Sequence, residues 1–390
     1  MSEWKKVKLD ELYEVHNGLS KGRQFFGTGF PFLTFSNVFN NWFLPEQLES
    51  LVQTTDKERE ACSIKAGDVF ITRTSETMDE LGMSSVALKD YPNATYNGFT
   101  KRLRPITDRV NPRYIGYYLR TPKFRGQFMA FSTMTTRASL ANNDLLNMEV
   151  ELPPMEIQHR IATILSRYDS LIENYQKQIK LLEEAAQRLY KEWFVDLHFP
   201  GHENAKIVDG VPEGWEKKAI MEVFDFKYGK ILPTKDFVED GPIPVYGASK
   251  QIGRYTKANC FEPKVLIGSR GNAGFVHRTI EDETYVTNNS FIVEPCAKYG
   301  YLKLPFIFES FKVLDFVAIC TGAAQPQLTL NSISSLKYIV PIKDLIVRYC
   351  GITTFYFSKI ALAYKQIRLL TEARDRLLPK LMSGEINVES

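Results

Sequence analysis

Two short polar segments carry side chains of the kind that read nucleic acid bases, and each directly follows an apolar run typical of a strand. Thr72–Ser75 follows the first run and Gly268–Asn272 follows the second. Arginine can form a two-point hydrogen bond with guanine O6 and N7, and asparagine or glutamine can do the same with adenine. A plain turn is the alternative interpretation of each segment taken alone. The candidate residues in the two segments are Arg73, Thr74, Ser75, Ser269, Arg270 and Asn272.

Further candidates lie in polar loops and in two basic stretches. Nine basic residues and one acidic residue fall between positions 95 and 140, and six basic residues and one acidic residue fall between positions 245 and 280. Clustered cations among Tyr, Asn, Gln and Ser suit contact with phosphates and base edges, although a basic helix face is often only solvated. The candidates are Lys101, Arg102, Arg104, Lys123, Arg125, Thr136, Arg137, Ser249, Lys250, Gln251, Arg254, Gln325 and Gln327.

Two other motifs are similar to parts of a methyltransferase. Phe25–Gly29 matches the F-x-G-x-G of S-adenosylmethionine loops, and Asn111–Tyr114 differs by one residue from N-P-P-Y. The glycines do not follow a buried strand and open a helix, as such a loop requires, and Arg113 replaces the second proline. Asn111 followed by Pro112 is typical of a helix N-terminus. The sequence therefore predicts no catalytic residue, no metal ligand and no cofactor in this chain.

The composition is that of a globular chain of about two domains. It has 390 residues, of which 44% are hydrophobic and 24% charged, and its net charge is only +3, so a polyanion-binding surface must be local. No uncharged apolar run approaches the ~18 residues that a membrane span needs, and the N-terminus is unlike a signal peptide. The five scattered cysteines favour reduced thiols. We expect a cytoplasmic protein without membrane contact.

The chain contains an internal duplication. After a shift of 188 positions, fourteen of the thirty residues from Arg160 to Leu189 coincide with their counterparts, where average residue usage gives roughly two. Upstream, Trp4 to Gly18 matches Trp215 to Gly229 at a shift of 211. Similar helical segments that follow dissimilar domains predict one scaffold that carries two different readers.

Both duplicated segments have apolar residues at alternating spacings of three and four, which is the pattern of a coiled coil. About 40 residues at 1.5 Å each give a rod of roughly 60 Å. We expect the two helices to pair antiparallel, because neither can bury its apolar stripe alone; packing of each helix on its own domain is the alternative. The seam residues are Ile161, Ile164, Tyr168, Tyr175, Leu182, Leu189, Tyr349, Ile352, Tyr356, Ile367, Leu370 and Leu377.

The regions before the long helices are rich in β-branched and aromatic residues broken by Gly, Pro and Asn, which predicts short strands of a mixed or antiparallel sheet. Helices are expected from Asn111 and over Leu304–Val317. The predicted fold class is α+β: two such domains joined by two long helices that form an antiparallel coiled coil. The predicted division is 1–152 (first variable domain), 153–196 (first long helix), 197–214 (linker), 215–341 (second variable domain), 342–383 (second long helix) and 384–390 (tail).

With these features the sequence resembles the specificity (S) subunit of type I restriction–modification enzymes. The resemblance covers essentially the whole chain and rests on motifs at the beginnings and ends of the repeated parts. These are Trp4 and Trp215, Leu152-Pro153-Pro154 with Gln158, Ile161 and Leu165, Tyr190 to Asp196, Val211 to Trp215, and Leu377 to Ile386.

The resemblance implies that each variable domain is a target recognition domain that reads one half of a bipartite, asymmetric site in double-stranded DNA. It implies that the helices fix the gap between half-sites and dock two methylation (M) subunits. Those partners would carry S-adenosylmethionine, and restriction (R) subunits would add cleavage that depends on ATP and Mg. The motifs are scaffold motifs, so no base-contacting residue follows from them. A self-contained DNA adenine methyltransferase and a structural adaptor that does not bind DNA are the alternatives.

Overall fold

The computed structural model describes residues 4–75, 81–131, 138–322 and 324–388. The chain forms two compact units. Unit 1 consists of Met1–Ile172 with Leu369–Ser390, and unit 2 consists of Glu173–Arg368. The predicted class, two mixed α+β domains with two long helices, is confirmed.

The helices are α1 (Phe35–Asn40), α2 (Asp56–Ala61), α3 (Pro112–Tyr118), α4 (Pro122–Phe131), α5 (Asn142–Leu146), α6 (Met155–Tyr190), α7 (Ile220–Val223), α8 (Leu304–Val313), α9 (Leu330–Ser334) and α10 (Lys343–Met382). The strands of unit 1 are β1 (Lys5–Lys8), β2 (Tyr13–Asn17), β3 (Phe26–Leu33), β4 (Leu51–Val52), β5 (Val69–Thr72), β6 (Thr74–Ser75), β7 (Ser84–Val86), β8 (Thr95–Tyr96), β9 (Thr100–Pro105), β10 (Ala138–Ser139) and β11 (Glu149–Leu152). The strands of unit 2 are β12 (Ile207–Val208), β13 (Val211–Pro212), β14 (Glu216–Ala219), β15 (Phe224–Tyr228), β16 (Ile243–Tyr246), β17 (Gln251–Tyr255), β18 (Val265–Gly268), β19 (Val276–Arg278), β20 (Tyr285–Val286), β21 (Ser290–Pro295) and β22 (Lys337–Val340).

In unit 1 a four-stranded antiparallel sheet has the order β2-β9-β5-β7, and a three-stranded sheet has the order β4-β3-β8 with β8 parallel to β3. The central strand β5 is buried on both faces, which explains its unbroken apolar run. Val69 and Ile71 face a core that α3 and the start of α6 share, and Phe70 faces a second core.

Unit 2 repeats this plan. Its four-stranded sheet has the order β15-β21-β18-β19, and its three-stranded sheet has the order β17-β16-β20 with β20 parallel to β16. The pair β14–β22 corresponds to β1–β11 of unit 1. The two variable domains, which differ in sequence, therefore share one strand framework.

The duplicated glycines Gly18 and Gly229 sit at equivalent points of this framework. A Cβ added to Gly18 would lie 2.0 Å from the carbonyl oxygen of Asn97, and one added to Gly229 would lie 2.3 Å from that of Thr287. Only a residue without a side chain allows so close an approach of two backbones. The glycine is therefore required by the fold in both units.

The long helices α6 and α10 are antiparallel in each unit. In unit 1 the start of α6, with Ile161 and Leu165, shares a core with Leu381 and Met382 at the end of α10. In unit 2 the late part of α6 contacts the early part of α10, where Tyr349 Oη donates a hydrogen bond to the Ala186 carbonyl (3.1 Å). Helix α6 ends at Tyr190 in a π-helical turn, Lys191–Val195, before the predicted boundary at 196.

Most of the predicted seam residues lie on the inner faces of the two helices, but one does not. Ile161 and Tyr349 are buried, whereas Ile352 is 41% exposed. Thr353 is buried instead, with its hydroxyl donating to the Tyr349 carbonyl (2.9 Å). Because a threonine can satisfy its hydroxyl within its own helix, a count of apolar residues alone misses this position. The half-buried seam residues are Ile164, Tyr168, Tyr175, Leu182, Leu189, Tyr356, Ile367, Leu370 and Leu377.

Within the described part of the chain, α10 is the helix long and apolar enough to cross a membrane, with a mean hydropathy of 1.2 in one 18-residue window. Core packing accounts for part of this apolar character. Tyr349, Phe357 and Ile360 of α10 are buried inside unit 2.

Candidate nucleic-acid interface

Three segments of unit 2 meet at one end of its four-stranded sheet. The backbone N–H of Ser269, directly after β18, donates to the Asn289 carbonyl before β21 (2.7 Å). The N–H of Leu328 donates to the Ser269 carbonyl (3.0 Å), and Arg270 forms an isolated β-bridge with Gln327. Residues far apart in the sequence are thereby held side by side.

The exposed side chains at this end are polar. Arg270 and Asn272 are exposed, and Asn272 Nδ2 donates to Ser249 Oγ (2.7 Å), which joins the loop before β17 to the other segments. Amides, hydroxyls and cations of this kind can contact phosphates and base edges. We call this the strand-end surface of unit 2; it comprises Ser249, Lys250, Gln251, Arg270, Asn272, Asn289, Gln325 and Gln327.

The equivalent end of the sheet in unit 1 has the same backbone connections and different side chains. The N–H of Arg73 donates to the Phe99 carbonyl (3.0 Å), and the N–H of Leu140 donates to the Arg73 carbonyl (3.1 Å). Thr74 and Ser75 form β6, which pairs with β10. The predicted residues Thr136 and Arg137 lie outside the described residues.

Two cations lie close together at this end of unit 1. Burial, and next the positive charge of Arg73, lower the pKa of Lys101. Lys101 is only 4% exposed and its ammonium group donates to Asn142 Oδ1, while Arg73 Nε is buried without a hydrogen-bond partner in the described residues. A bound anion would relieve the repulsion between two desolvated cations. Half-buried Arg73, with Lys101 buried next to it, is thus the cation of the strand-end surface of unit 1, which also includes Phe99.

Two other predicted cations of the first domain have internal hydrogen bonds. Arg102 is 2% exposed, and its Nη1 donates to the Ser63 carbonyl (2.7 Å). Arg104 forms an ion pair with Asp68 (2.6 Å), and this hydrogen bond raises the pKa of Arg104. Both guanidinium groups connect β9 to the segment before β5. The burial of Arg102 and the ion pair of Arg104 hold both side chains within the domain, so neither residue belongs to the strand-end surface.

The remaining predicted residues are also held by neighbours. Arg254 donates from Nη2 to the Pro242 carbonyl (2.9 Å), and the hydroxyl of buried Ser269 donates to the Asn288 carbonyl (3.2 Å). On α4, Lys123 pairs with Glu151 (2.6 Å), and Arg125 Nη1 lies 2.8 Å from Met83 Sδ. These contacts support the fold of each domain.

Two exposed residues of the strand-end surfaces are uncharged, so counting charges in the sequence does not identify them. Phe99 is 59% exposed directly before β9, and Asn289 is exposed at the equivalent position before β21. Their loops, Asn97–Phe99 and Thr287–Asn289, each lie between two strand-like runs, which is the signal that could have found them.

The methyltransferase-like motifs have structural roles. Asn111 caps α3, with its Oδ1 accepting from the N–H groups of Arg113 (2.9 Å) and Tyr114 (3.0 Å). Gly27 and Gly29 lie inside β3 at an irregular pairing with β4, both with positive φ. No group of three or more His, Cys, Asp or Glu residues suited to a metal ion is found in the described ranges.

Comparison with protein families matches residues 1–184 and 212–348 to the type I restriction modification DNA specificity domain. The chain is 25% identical over 417 residues to the type I restriction enzyme MjaIX specificity subunit of Methanocaldococcus jannaschii, which covers 99% of this chain and 94% of the relative. It is 23% identical over 476 residues to the HindI specificity subunit of Haemophilus influenzae, covering 99% and 100% of the two chains.

Among solved structures, the fold is similar to that of the type I restriction-modification S subunit from M. genitalium. The TM-score is 0.60 at 19% identity, with 97% of this chain and 96% of the other covered. Because the family match includes both variable domains and most of α6, the chain belongs to the type I restriction modification DNA specificity family.

Proposed function

We propose that this chain is the DNA-recognition subunit of a type I restriction–modification complex and that each variable domain reads one half of a bipartite, asymmetric site. The observation that carries the proposal is one strand framework present twice with unlike side chains at equivalent strand ends. Exposed Phe99 in unit 1 corresponds to exposed Asn289 in unit 2, and half-buried Arg73 corresponds to Ser269, which is buried and places no cation there. Equal scaffolds with unequal contact groups suit two different half-sites.

Each strand-end surface offers the two kinds of contact that sequence-specific binding needs. In unit 2, Lys250 can neutralise phosphates, while the guanidinium of Arg270 and the amides of Asn272 and Gln325 can pair with base edges. Such a surface should bind random duplex weakly and with a steep salt dependence. An adaptor that does not bind DNA would show neither property.

The long helices supply the spacer and a surface for protein partners. Ile352, Phe355 and Leu362 of α10 are 41%, 60% and 49% exposed and lie on one face of the helix. An exposed apolar stripe of this kind is typical of a protein interface. In this proposal it docks a methylation subunit, two of which complete the methylating complex, and the methylation and restriction subunits hold S-adenosylmethionine, ATP and Mg. The complex would act in the cytoplasm on double-stranded DNA.

Methylome sequencing of cells with and without the chain tests the proposal. The motif that disappears in its absence should be bipartite and should name both half-sites. Arg73→Ala should relax the first half-site and Arg270→Ala the second, each by about tenfold, which is the order of a lost two-point contact. Lys257→Ala, at the far end of β17 from Gln251, is the control.

Equal loss at both half-sites for either variant would contradict the assignment of one reader to each unit. Methyl transfer by the purified chain alone would support the alternative of a self-contained methyltransferase. Absence of any affinity for duplex DNA would support the adaptor.

A further inference from the structure

One carboxylate of α6 joins three elements of unit 1. Asp169 accepts a hydrogen bond from the Tyr117 hydroxyl of α3 at Oδ2, and one from Arg374 Nη1 of α10 at Oδ1 (2.7 Å). The side chains of Asp169 and Arg374 are 27% and 13% exposed. A charge-assisted pair that is largely shielded from water has a fixed geometry.

Two of these residues, Arg374 and Tyr117, also contact Trp42 of the first variable domain. The Arg374 guanidinium lies 4.9 Å from the centre of the Trp42 ring, and the Tyr117 ring lies 5.7 Å from it. The Arg120 guanidinium also lies 5.6 Å from the centre of the Trp42 ring, and its Nε donates to the Ser84 carbonyl (2.7 Å). The contact between the first variable domain and the helix pair thus has a polar, directional part beside the apolar core that α3 shares with α6 and α10.

The protonation of Tyr117 favours this arrangement. Burial, and next the charge and hydrogen bond of Asp169, raise the pKa of Tyr117 far above its ordinary value. The hydroxyl therefore remains a donor to the carboxylate throughout the physiological range.

Unit 2 has apolar residues at the equivalent helix positions. A shift of 188 relates Asp169 to Phe357 and Arg374 to Ala186, which are 7% and 0% exposed. Phe357 packs edge-on against Phe308 of α8, with ring centres 6.0 Å apart. Arg278 of β19 lies 4.6 Å from the centre of the Phe357 ring and pairs with Glu183 of α6 (3.5 Å), so unit 2 makes its polar contact here through other residues. The Asp169–Arg374 pair is therefore particular to unit 1 and is not a requirement of the duplicated helices.

We infer that Asp169 is a positioning residue, which fixes the orientation of the first variable domain on the helix pair and thereby the distance at which the first half-site is read. The inference rests on the proposed function. The hydrogen bond from Tyr117 ties the domain to α6, and the bond from Arg374 holds that guanidinium against Trp42 of the domain. Directional contacts of this kind constrain rotation of the domain against the helices more strictly than apolar contacts do. The residue touches no base and sets no base preference.

The test is a selection from a duplex pool in which the wild-type half-sites are separated by gaps of every length near the native one. The full chain is used in complex with its methylation subunits. For Asp169→Asn we expect both half-site sequences to be kept and the preference for the native gap to fall about tenfold, the order of one charge-assisted hydrogen bond. Tyr117→Phe removes a single hydroxyl and should lower the preference in the same direction.

Glu173→Gln, one turn further along α6, is the matched control, since Glu173 is exposed and pairs only with Lys177 in the described residues. It should leave the preference unchanged. Thermal unfolding identifies any variant that fails to fold. If Asp169→Asn fails to fold, Tyr117→Phe still tests the inference.

The inference is overturned if Asp169→Asn and Tyr117→Phe both keep the wild-type gap preference, or if a folded Asp169→Asn protein loses the base preference of the first half-site. A wild-type complex that selects no bipartite site would instead overturn the proposed function. The two failures are therefore distinguishable.

Discussion

Arg104 and Asp68 form a two-point ion pair inside the first variable domain, with Nε–Oδ1 and Nη2–Oδ2 distances of 2.8 and 2.6 Å. The carboxylate of Asp68 is fully buried, and its Oδ2 also accepts from the N–H of Lys65 (2.8 Å). The pair joins β9 to the turn before β5, so an arginine from the most basic part of the sequence serves the fold.

Asp68→Asn should destabilise unit 1 by about 3 kcal/mol, because it leaves the Arg104 guanidinium without its buried counter-ion. Chemical denaturation of the full chain measures this change. Lys123→Gln is the control: the Lys123 side chain is 58% exposed, and loss of its pair with Glu151 should cost less than about 1 kcal/mol. Equal costs for the two variants would contradict a structural role for Arg104.

Acid should weaken unit 2 through His277. Burial lowers the pKa of this residue to about 4, whereas an unfolded histidine titrates near 6.5. As the pH falls from about 6.5 to about 4, His277 therefore binds a proton in the unfolded state but not in the folded state. The free energy of unfolding should fall by about 3 kcal/mol across this window. Urea unfolding at several pH values measures the slope.

His277→Gln should flatten that slope, while His16→Gln, which replaces an exposed imidazole in unit 1, should leave it as in the wild type. A slope that is unchanged by His277→Gln would show that other groups cause the acid sensitivity.

Gly229→Ala should destabilise unit 2 by about 1–3 kcal/mol, because the new methyl group would overlap the Thr287 carbonyl. Gly18→Ala should have the same effect on unit 1 through Asn97. Gly351→Ala is the matched control: its Cβ meets no atom within 4 Å, and in a helix alanine is favoured over glycine by up to about 1 kcal/mol. The melting temperatures of the Gly18→Ala and Gly229→Ala variants should therefore fall, and that of the Gly351→Ala variant should rise.

Phe355→Ser should lower the affinity for the methylation subunit at least tenfold, since truncation of a central aromatic group at an interface costs about 2 kcal/mol. Co-purification and titration of the two proteins measure the loss. Thr354→Ala, the neighbouring exposed position on α10, is the control. Undiminished affinity in the Phe355 variant would place the docking surface elsewhere.

Features with a local cause could be predicted from the sequence. Asn111 and Pro112 start α3 as expected, since a cap depends only on residues of the next turn. Helix α8 begins at Leu304, as the sequence predicts, and ends at Val313 instead of Val317. The pairing of the long helices also follows from a periodic pattern within each of them.

Features with a distant cause could not be predicted. The carboxylate that binds Arg104 is 36 positions away in the sequence, and the carbonyl that binds Arg102 is 39 positions away. Charge counting therefore placed both arginines on a DNA-binding surface, a role for which burial leaves them poorly suited. Asn289 was missed for the converse reason, because an uncharged residue in a turn gives no signal until the sheet brings it beside Arg270.

The division of the two long helices between the units has a consequence for biosynthesis. Unit 2 is one continuous stretch of chain, but the core of unit 1 includes Leu378, Leu381 and Met382 from the last part of α10. The domain that leaves the ribosome first is thus completed last, after the entire second unit has been translated. Until then part of the apolar face at the beginning of α6 stays exposed to solvent. A chain truncated before the end of α10 would lack the residues that complete the core of unit 1.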